Sequence, residues 1–172
     1  MLSIEIIDED LILKNINKDS IQNIYSIFKN SCDFKYATGV FHPMGYQLFS
    51  KQISQFITRK NVFYLDICSA STGEKVGLVK GLVVDKNKIA WINSLIIGKP
   101  YQNKGFGTKA IWLLEDFLVR NFNIDKIYLS VYKTNTVGIN FWTKCGYSEY
   151  DYPSHRSSEA YNELVKFMGK IL

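Results

Sequence analysis

Two glycines behind an apolar run are the most chemically suggestive feature of the chain. The segment reads Leu95-Ile96-Ile97-Gly98-Lys99-Pro100-Tyr101-Gln102-Asn103-Lys104-Gly105-Phe106-Gly107-Thr108. A strand-like run ends, a short loop follows, and a helical pattern begins at the glycines. A helix N-terminus carries backbone N–H groups without partners and the positive end of a dipole, so it suits an anion. Gly105 has no Cβ, which lets a phosphate approach the backbone closely. Gly107 lets the helix lie tightly on the sheet. On glycine spacing alone, a loop that merely turns the chain fits as well.

Two phosphate-binding patterns can be tested on these residues. A Walker loop needs G-x-x-x-x-G-K-[ST], and counting from Gly98 puts Asn103 where Gly is required. Gly105 to Ala110 does fit G-x-G-x-x-A. A dinucleotide site also needs an acid at the far end of the next strand. Asp125 lies before that strand, at the wrong end.

The elements that must position this loop follow from periodicity. Ile4, Ile6, Leu11 and Leu13 read as one N-terminal strand. Asp19 and Gln22 make a capping box ahead of a helix with Ile21, Ile24, Tyr25 and Phe28 on one face. A second helix is expected from near Pro43, with Tyr46, Phe49, Ile53 and Phe56 on its apolar face, and Ser31 to His42 reads as a loop. Asn61 to Ser69, Val76 to Val84 and Ile89 to Ile97 follow as strands joined by short turns, an antiparallel meander. Ile89 to Ile97 is nearly all apolar, so it is expected to be buried on both faces. A helix carries Ala110, Leu113, Leu114, Phe117 and Leu118 to about Asn121. Lys126 to Tyr132 is a strand, and Thr136 to Lys144 a short helix ended by Gly146 as its C′ residue. Two last strands, Tyr147 to Tyr152 and Glu163 to Ile171, flank the polar loop Pro153 to Ala160. This order predicts an α/β-type mixed sheet of about seven strands flanked by about four helices. With 172 residues and no linker or repeat, residues 1–172 are expected to form a single domain.

The composition narrows the partners. The formal net charge is +5, from 21 Lys and Arg against 16 Asp and Glu. A modest basic surplus suggests an anionic partner: nucleic acid, a membrane surface or a phosphorylated small molecule. Lys99, Lys104 and Lys109 fall in one stretch without acids, and Lys126, Lys133 and Lys144 in another. Without those six the rest of the chain is near neutral, which favours a phosphorylated cofactor. Nucleic acid is not expected, because clustered Arg and base-stacking patterns are missing. No apolar run approaches the ~18 residues of a membrane span, so no membrane is expected. Glu5, Asp8, Glu9 and Asp10 make the N-terminus the opposite of a basic signal-peptide region. Cys32, Cys68 and Cys145 are odd in number and far apart, which excludes a disulfide framework or a CxxC metal site. Reduced thiols in a cytoplasmic protein, with no metal, are the expectation.

A second stretch completes the pattern: Asn135-x-x-Gly138-x-x-Phe141-Trp142-x-Lys144-x-Gly146-Tyr147. Together the two resemble the GNAT superfamily of acyl-CoA-dependent N-acetyltransferases. Gln102 to Gly107 is similar to that family's (Q/R)-x-x-G-x-(G/A) pyrophosphate loop, and Pro100 and Ile97 sit where the family has them. The second stretch is similar to its N-x-x-(A/G)-x-x-(F/L)-(Y/W)-x-K-x-G-(F/Y) element. The element order agrees over nearly the whole chain.

The resemblance implies a sheet splayed at its central parallel pair, with acetyl-CoA as co-substrate. Backbone groups at Leu95, Ile96 and Ile97 would pair with pantetheine. The N–H of Ile97 would face the thioester oxygen as it gains charge. Amides of Gln102, Asn103, Lys104, Gly105, Phe106, Gly107 and Thr108 would hold the pyrophosphate, and Asn135 would bond the pantetheine chain. Phe141 reads better as a core residue. The implied reaction is direct attack of an amine on acetyl-CoA, the acceptor being a small-molecule or protein amine and the enzyme a monomer or homodimer.

Two departures bear on catalysis. Where many members place a Glu, four residues before Ile97, this chain has Asn93, which cannot take a proton but could position water or substrate. Where many use a Tyr to protonate the leaving thiolate, it has Trp142. Tyr147, Tyr150 and Tyr152 read mainly as structural. His42 and His155 fall in predicted acceptor-side loops and have suitable basicity. Asp33, Asp151 and Glu159 could attract a cationic amine. Loss of both usual groups leaves a second expectation, a catalytically silent acyl-CoA-binding module.

Overall fold

A computed structural model of the protein describes residues 1–28, 36, 44–150 and 163–172. Its centre is an eight-stranded sheet in the order β1-β2-β3-β4-β5-β6-β8-β7. The strands are β1 (Glu5–Ile7), β2 (Leu11–Asn15), β3 (Val62–Ser69), β4 (Lys75–Val84), β5 (Ile89–Ile97), β6 (Lys126–Tyr132), β7 (Ser148–Glu149) and β8 (Val165–Ile171). Four helices stand among the described residues: α1 (Lys18–Phe28), α2 (Tyr46–Ile57), α3 (Phe106–Phe122) and α4 (Thr136–Lys144). All strand pairs are antiparallel except β5 with β6.

The predicted mixed, mostly antiparallel sheet is present, with one more strand than expected. The N-terminal run is two strands, because Asp8 folds it back on itself. The Asp8 carboxylate accepts from the N–H of Asp10 at 3.1 Å, while the N–H of Asp8 donates to the oxygen of Leu11 at 2.9 Å. A side chain that captures a nearby N–H favours a turn over continued strand. The cap of α1 also differs from the Asp19/Gln22 reading. Asn17 Oδ1 accepts from the N–H of Ser20 at 2.8 Å, and Ser20 Oγ accepts from the N–H of Asn17 at 3.3 Å. The same reciprocal geometry is made two residues earlier. The α2 helix begins at Tyr46, after Gly45, whereas Pro43 and most of the Ser31 to His42 loop lie outside the described residues.

The sheet is covered on both faces. On one, Ala110, Ile111, Leu114 and Leu118 of α3 and Trp142 of α4 bury themselves against Leu13, Leu65, Val79, Ile92 and Ile127. On the other, Ile21 and Ile24 of α1 and Phe49 and Ile53 of α2 pack on Tyr64, Leu78 and Ile96. Each buried Leu, Ile or Val side chain among them contributes roughly 1.5–3 kcal/mol by leaving water.

The strand buried throughout is β3, from Val62 to Cys68, rather than β5. In β5 only alternate residues are fully buried, and Asn93 is exposed. Asn93 sits at a bulge. Gly81 pairs with Ile92 and Lys80 with Ser94, so Asn93 has no opposite residue on β4. An extra residue reverses the face of everything after it. Ala90 and Ile92 accordingly join the α3 side, and Ile96 joins the α1–α2 side.

Candidate functional site

The parallel pairing of β5 with β6 runs from Ile89–Lys126 to Ile92–Leu129 and stops there. Beyond it the strands part, as expected, and a cleft of about 660 Å³ opens. Asn93, Leu95, Ile96 and Ile97 line one wall. Leu129, Ser130 and Val131 line the other.

The direction of the β5 backbone groups follows from one bond. The N–H of Gly98 donates to the oxygen of Val76 on β4 at 2.9 Å. Groups on a strand alternate sides, so Leu95 and Ile97 turn their N–H and C=O to the open edge, and Ile96 turns its own to β4. The Gln102 side-chain amide donates to the Ile97 oxygen at 2.8 Å. That carbonyl is engaged by the loop, and the Ile97 N–H looks into the cleft.

The loop after β5 is shaped by Asn103 at φ 60 and Gly105 at φ 84, both left-handed. Gly105 is the N-cap of α3 and supplies no side-chain acceptor. The first intrahelical bond runs from the N–H of Lys109 to the oxygen of Gly105, 3.0 Å. The N–H groups of Phe106, Gly107 and Thr108 are therefore left over at the positive end of a 17-residue helix. Curled backbone of this kind forms an anion-binding concavity. Gln102, Asn103, Gly105, Gly107 and Thr108 all line the cleft. Lys104 is exposed outside it, and the Phe106 ring packs toward Tyr101, 6.2 Å between centroids. A Cβ on Gly107 would stand 3.2 Å from Phe141 and 3.4 Å from Ile97, which is the close packing predicted for that glycine.

Asn135 also lines the cleft, and its Oδ1 caps α4 by accepting from the N–H of Gly138 at 3.0 Å. Its side chain lies so close to Gly138 that a Cβ there would require Asn135 to shift. The helix ends as expected, with Gly146 at φ 91. Phe141, read from the sequence as core, packs on the main cluster and also lines the cleft.

The lysines separate. Lys144 reaches the cleft lining. Lys109 is held by Asp8 at 2.8 Å and Asp10 at 2.7 Å. Lys126 pairs with Ile89, at the opposite end of β6 from the opening. The grouping of all six lysines at the site is thus not what the fold makes of them.

Neither usual proton-transfer group is present. Asn93 is in the lining, and Trp142 is buried against Phe141 and Tyr147 with ring centroids 5.0 and 5.1 Å away. Tyr147 donates to Glu115 Oε1 at 2.9 Å, and its buried phenol is held far above its ordinary pKa by desolvation and by that carboxylate. Tyr150 stacks on Tyr128, 4.5 Å between centroids. His42, His155, Tyr152, Asp33, Asp151 and Glu159 lie outside the described residues. Among the described residues the cleft wall carries no carboxylate and no imidazole. No group of metal ligands stands among them either, and none of their helices is long and apolar enough to cross a membrane. The sequence reading missed Tyr36 and Tyr101 as lining residues. Tyr36 lies in a stretch without periodicity, its ring 5.9 Å from that of Tyr132.

Residues 22–147 match the model of the acetyltransferase (GNAT) family. The spermidine N(1)-acetyltransferase of Escherichia coli K12 is 33% identical over 101 residues, covering 59% of this chain and 51% of that protein. A probable spermine N(1)-acetyltransferase of Bacillus subtilis subsp. natto is 32% identical over 63 residues, covering 37% of this chain and 41% of that one. The chain thus spans about half the length of the curated relatives it matches. A Vibrio cholerae spermidine N-acetyltransferase, solved with CoA and spermine, superposes with a TM-score of 0.78 over 95% of this chain and 96% of its own, at 19% identity. The splayed parallel pair, the loop at the head of α3 and the matched span agree: the chain belongs to the acetyltransferase (GNAT) family.

Proposed function

We propose that the protein moves an acetyl group from acetyl-CoA to a primary amine by direct attack, with residues 1–172 acting as one unit. The observation that carries this reading is the parting of β5 and β6 after Ile92–Leu129, beside the uncapped N-terminus of α3. The α3 donors and the Asn103–Gly105 turn suit a pyrophosphate, and Leu95, Ile97 and Asn135 suit the amide-bearing pantetheine arm. In the transfer, the amine nitrogen bonds to the thioester carbon and the C–S bond breaks. The CoA sulfur leaves with the electron pair, and the proton lost by the amine passes to solvent or to the departing thiolate. The Ile97 N–H stabilises the carbonyl oxygen as charge builds on it.

An amine of pKa ~10.4 is neutral in about one molecule in 2,500 at pH 7, a cost of roughly 4.6 kcal/mol. Asn93 cannot remove that proton. The site therefore depends on desolvation, on a like charge nearby, or on groups outside the described residues. The names of the relatives put polyamines first among acceptors to try. Free Cys68 and Cys145 fit a reducing cytoplasm, where acetyl-CoA is used.

Titration calorimetry with acetyl-CoA and a thiol assay over an amine panel test this reading. Micromolar binding together with CoA release on some amine is the expected result. Binding without turnover on any amine selects the second reading, a silent acyl-CoA-binding module, which Asn93 and Trp142 favour. Absence of binding, or binding unchanged in Gly105→Glu, defeats both.

A further inference from the structure

Lys80 lies on the face of the sheet opposite α3 and α4. On β4 it pairs with Tyr64 of β3 and with Ser94 of β5, beside the Asn93 bulge. Ser94 is in the cleft lining; Lys80 is not, and stands beside it on the neighbouring strand, about 4.8 Å across the ladder. The head of α3 occupies the other face. An acceptor that approached the thioester from the face opposite the cofactor would pass over this part of the sheet.

The lysine is half-buried and has no carboxylate among the described residues. Its Nζ is 5.9 Å from the ring centroids of Phe56 and Tyr64, the outer edge of cation–π range. Asp66, two residues from Tyr64 on the same face of β3, is already engaged by Lys75 at 2.8 Å and Ser20 at 2.8 Å. Burial pulls the Lys80 ammonium below its ordinary pKa, as expected of a cation taken from water without a counter-ion. An arriving anion would remove that penalty, whereas a second cation would add to it.

We propose that Lys80 selects acceptors that carry a carboxylate near the amine to be acetylated. This rests on the transfer reading above and sharpens its acceptor class, away from the polyamines in the relatives' names. Pairing with Lys80 has a second consequence: it takes from the acceptor's carboxylate its stabilisation of the neighbouring ammonium, which favours the neutral, attacking amine.

The test compares aminoalkanoates, from β-alanine to 6-aminohexanoate, and common amino acids with their own amides and with spermidine, by CoA release. The expected result is a kcat/KM at least tenfold higher for carboxylates than for matched amides. In Lys80→Met that ratio falls to near one, and Lys80→Arg keeps part of it. The melting temperature of Lys80→Met is expected to equal or exceed that of the parent, because a poorly compensated charge leaves the interior; this separates lost preference from lost fold. Amides or spermidine turned over as well as the carboxylates, or a ratio unmoved in Lys80→Met, overturns the proposal and leaves the transferase reading standing. No CoA release from any acceptor overturns both.

Discussion

The side-chain amide of Gln102 reaches back to the main-chain oxygen of Ile97 across 2.8 Å. The bond ties the loop to the end of β5. It occupies the carbonyl that shares the cleft edge with the Ile97 N–H, so that edge presents a donor with little competition from its own acceptor. Removing the bond leaves the fold intact and loosens the placement of Asn103 and Gly105.

Gln102→Leu is therefore expected to weaken acetyl-CoA binding about five- to tenfold, in keeping with the ~1 kcal/mol of one hydrogen bond. Its melting temperature should stay within about 4 °C of the parent, since that energy corresponds to ~2–4 °C in a chain of this size. Calorimetry and a thermal melt check the two halves. Affinity unchanged at parental stability would show that the loop holds its shape without this bond.

The two loop glycines predict different failures. Gly107 has Phe141 at 3.2 Å and Ile97 at 3.4 Å from an added Cβ. A single methyl asks its neighbours to give a few tenths of an ångström, and a better helix former offsets that, so Gly107→Ala should be close to neutral. Gly107→Val adds branches with nowhere to go and should cost ~1–3 kcal/mol. Gly105 has open space around it but sits at φ 84. There Gly105→Ala should cost about 1–2 kcal/mol from backbone alone, with the loop turn and ligand binding disturbed together. Urea unfolding of the three variants, paired with acetyl-CoA titration, separates packing from conformation.

Elements set by local rules are legible in this sequence, and those set by distant partners are not. The Gln102 to Thr108 loop and the Asn135 to Gly146 helix were legible because local rules set them: a glycine that must be left-handed, a cap, a terminus. The split of the first strand was not, since the apolar residues Ile4 to Leu13 look the same whether or not Asp8 captures an N–H. The β5 bulge was hidden for a related reason. Nothing in Ile92-Asn93-Ser94 announces that Gly81 and Lys80 across the ladder are consecutive partners of Ile92 and Ser94. Charge was misread most clearly at Lys109, whose partners Asp8 and Asp10 lie 101 and 99 residues away along the chain. Sequence proximity to a phosphate loop does not say where a lysine points.

That Lys109 pair fixes a pH dependence of stability. The Lys109 ammonium, helped by the Asp10 N–H, holds the Asp8 carboxyl below its ordinary value of 3.8. The stabilisation is complete above that ordinary value and is lost as pH falls through the lowered one. Lys109, in turn, is raised above its ordinary 10.5 by Asp10 and Asp8. Its share is complete below 10.5 and is lost only at still more alkaline pH. The doubly substituted Asp8→Asn, Asp10→Asn protein should therefore show a constant deficit across the neutral range and converge on the parent in acid. Denaturant midpoints from about pH 3 to about pH 9 give the curve. A deficit that vanished at neutral pH would show the pair to be thermodynamically idle.

Tyr147 is the tyrosine beside the position where many family members keep an acid, and its surroundings argue against that duty. Its hydroxyl donates to Glu115 Oε1 at 2.9 Å, and Lys170 meets the other carboxylate oxygen at 2.6 Å. The side chain is 1% exposed. Burial and the adjacent negative charge keep its proton in place far beyond neutral pH, so the group cannot supply one to a departing thiolate. Tyr147→Phe should thus act on stability. Loss of a buried hydrogen bond to a charged group costs about 1.5–3 kcal/mol, which lowers the melting point by several degrees at ~2–4 °C per kcal/mol. The pH profile of kcat, followed by CoA release below the melting range, should keep its shape. If the variant instead loses the alkaline limb of that profile at unchanged melting temperature, the Glu115 contact is broken in the working enzyme and Tyr147 donates the proton after all.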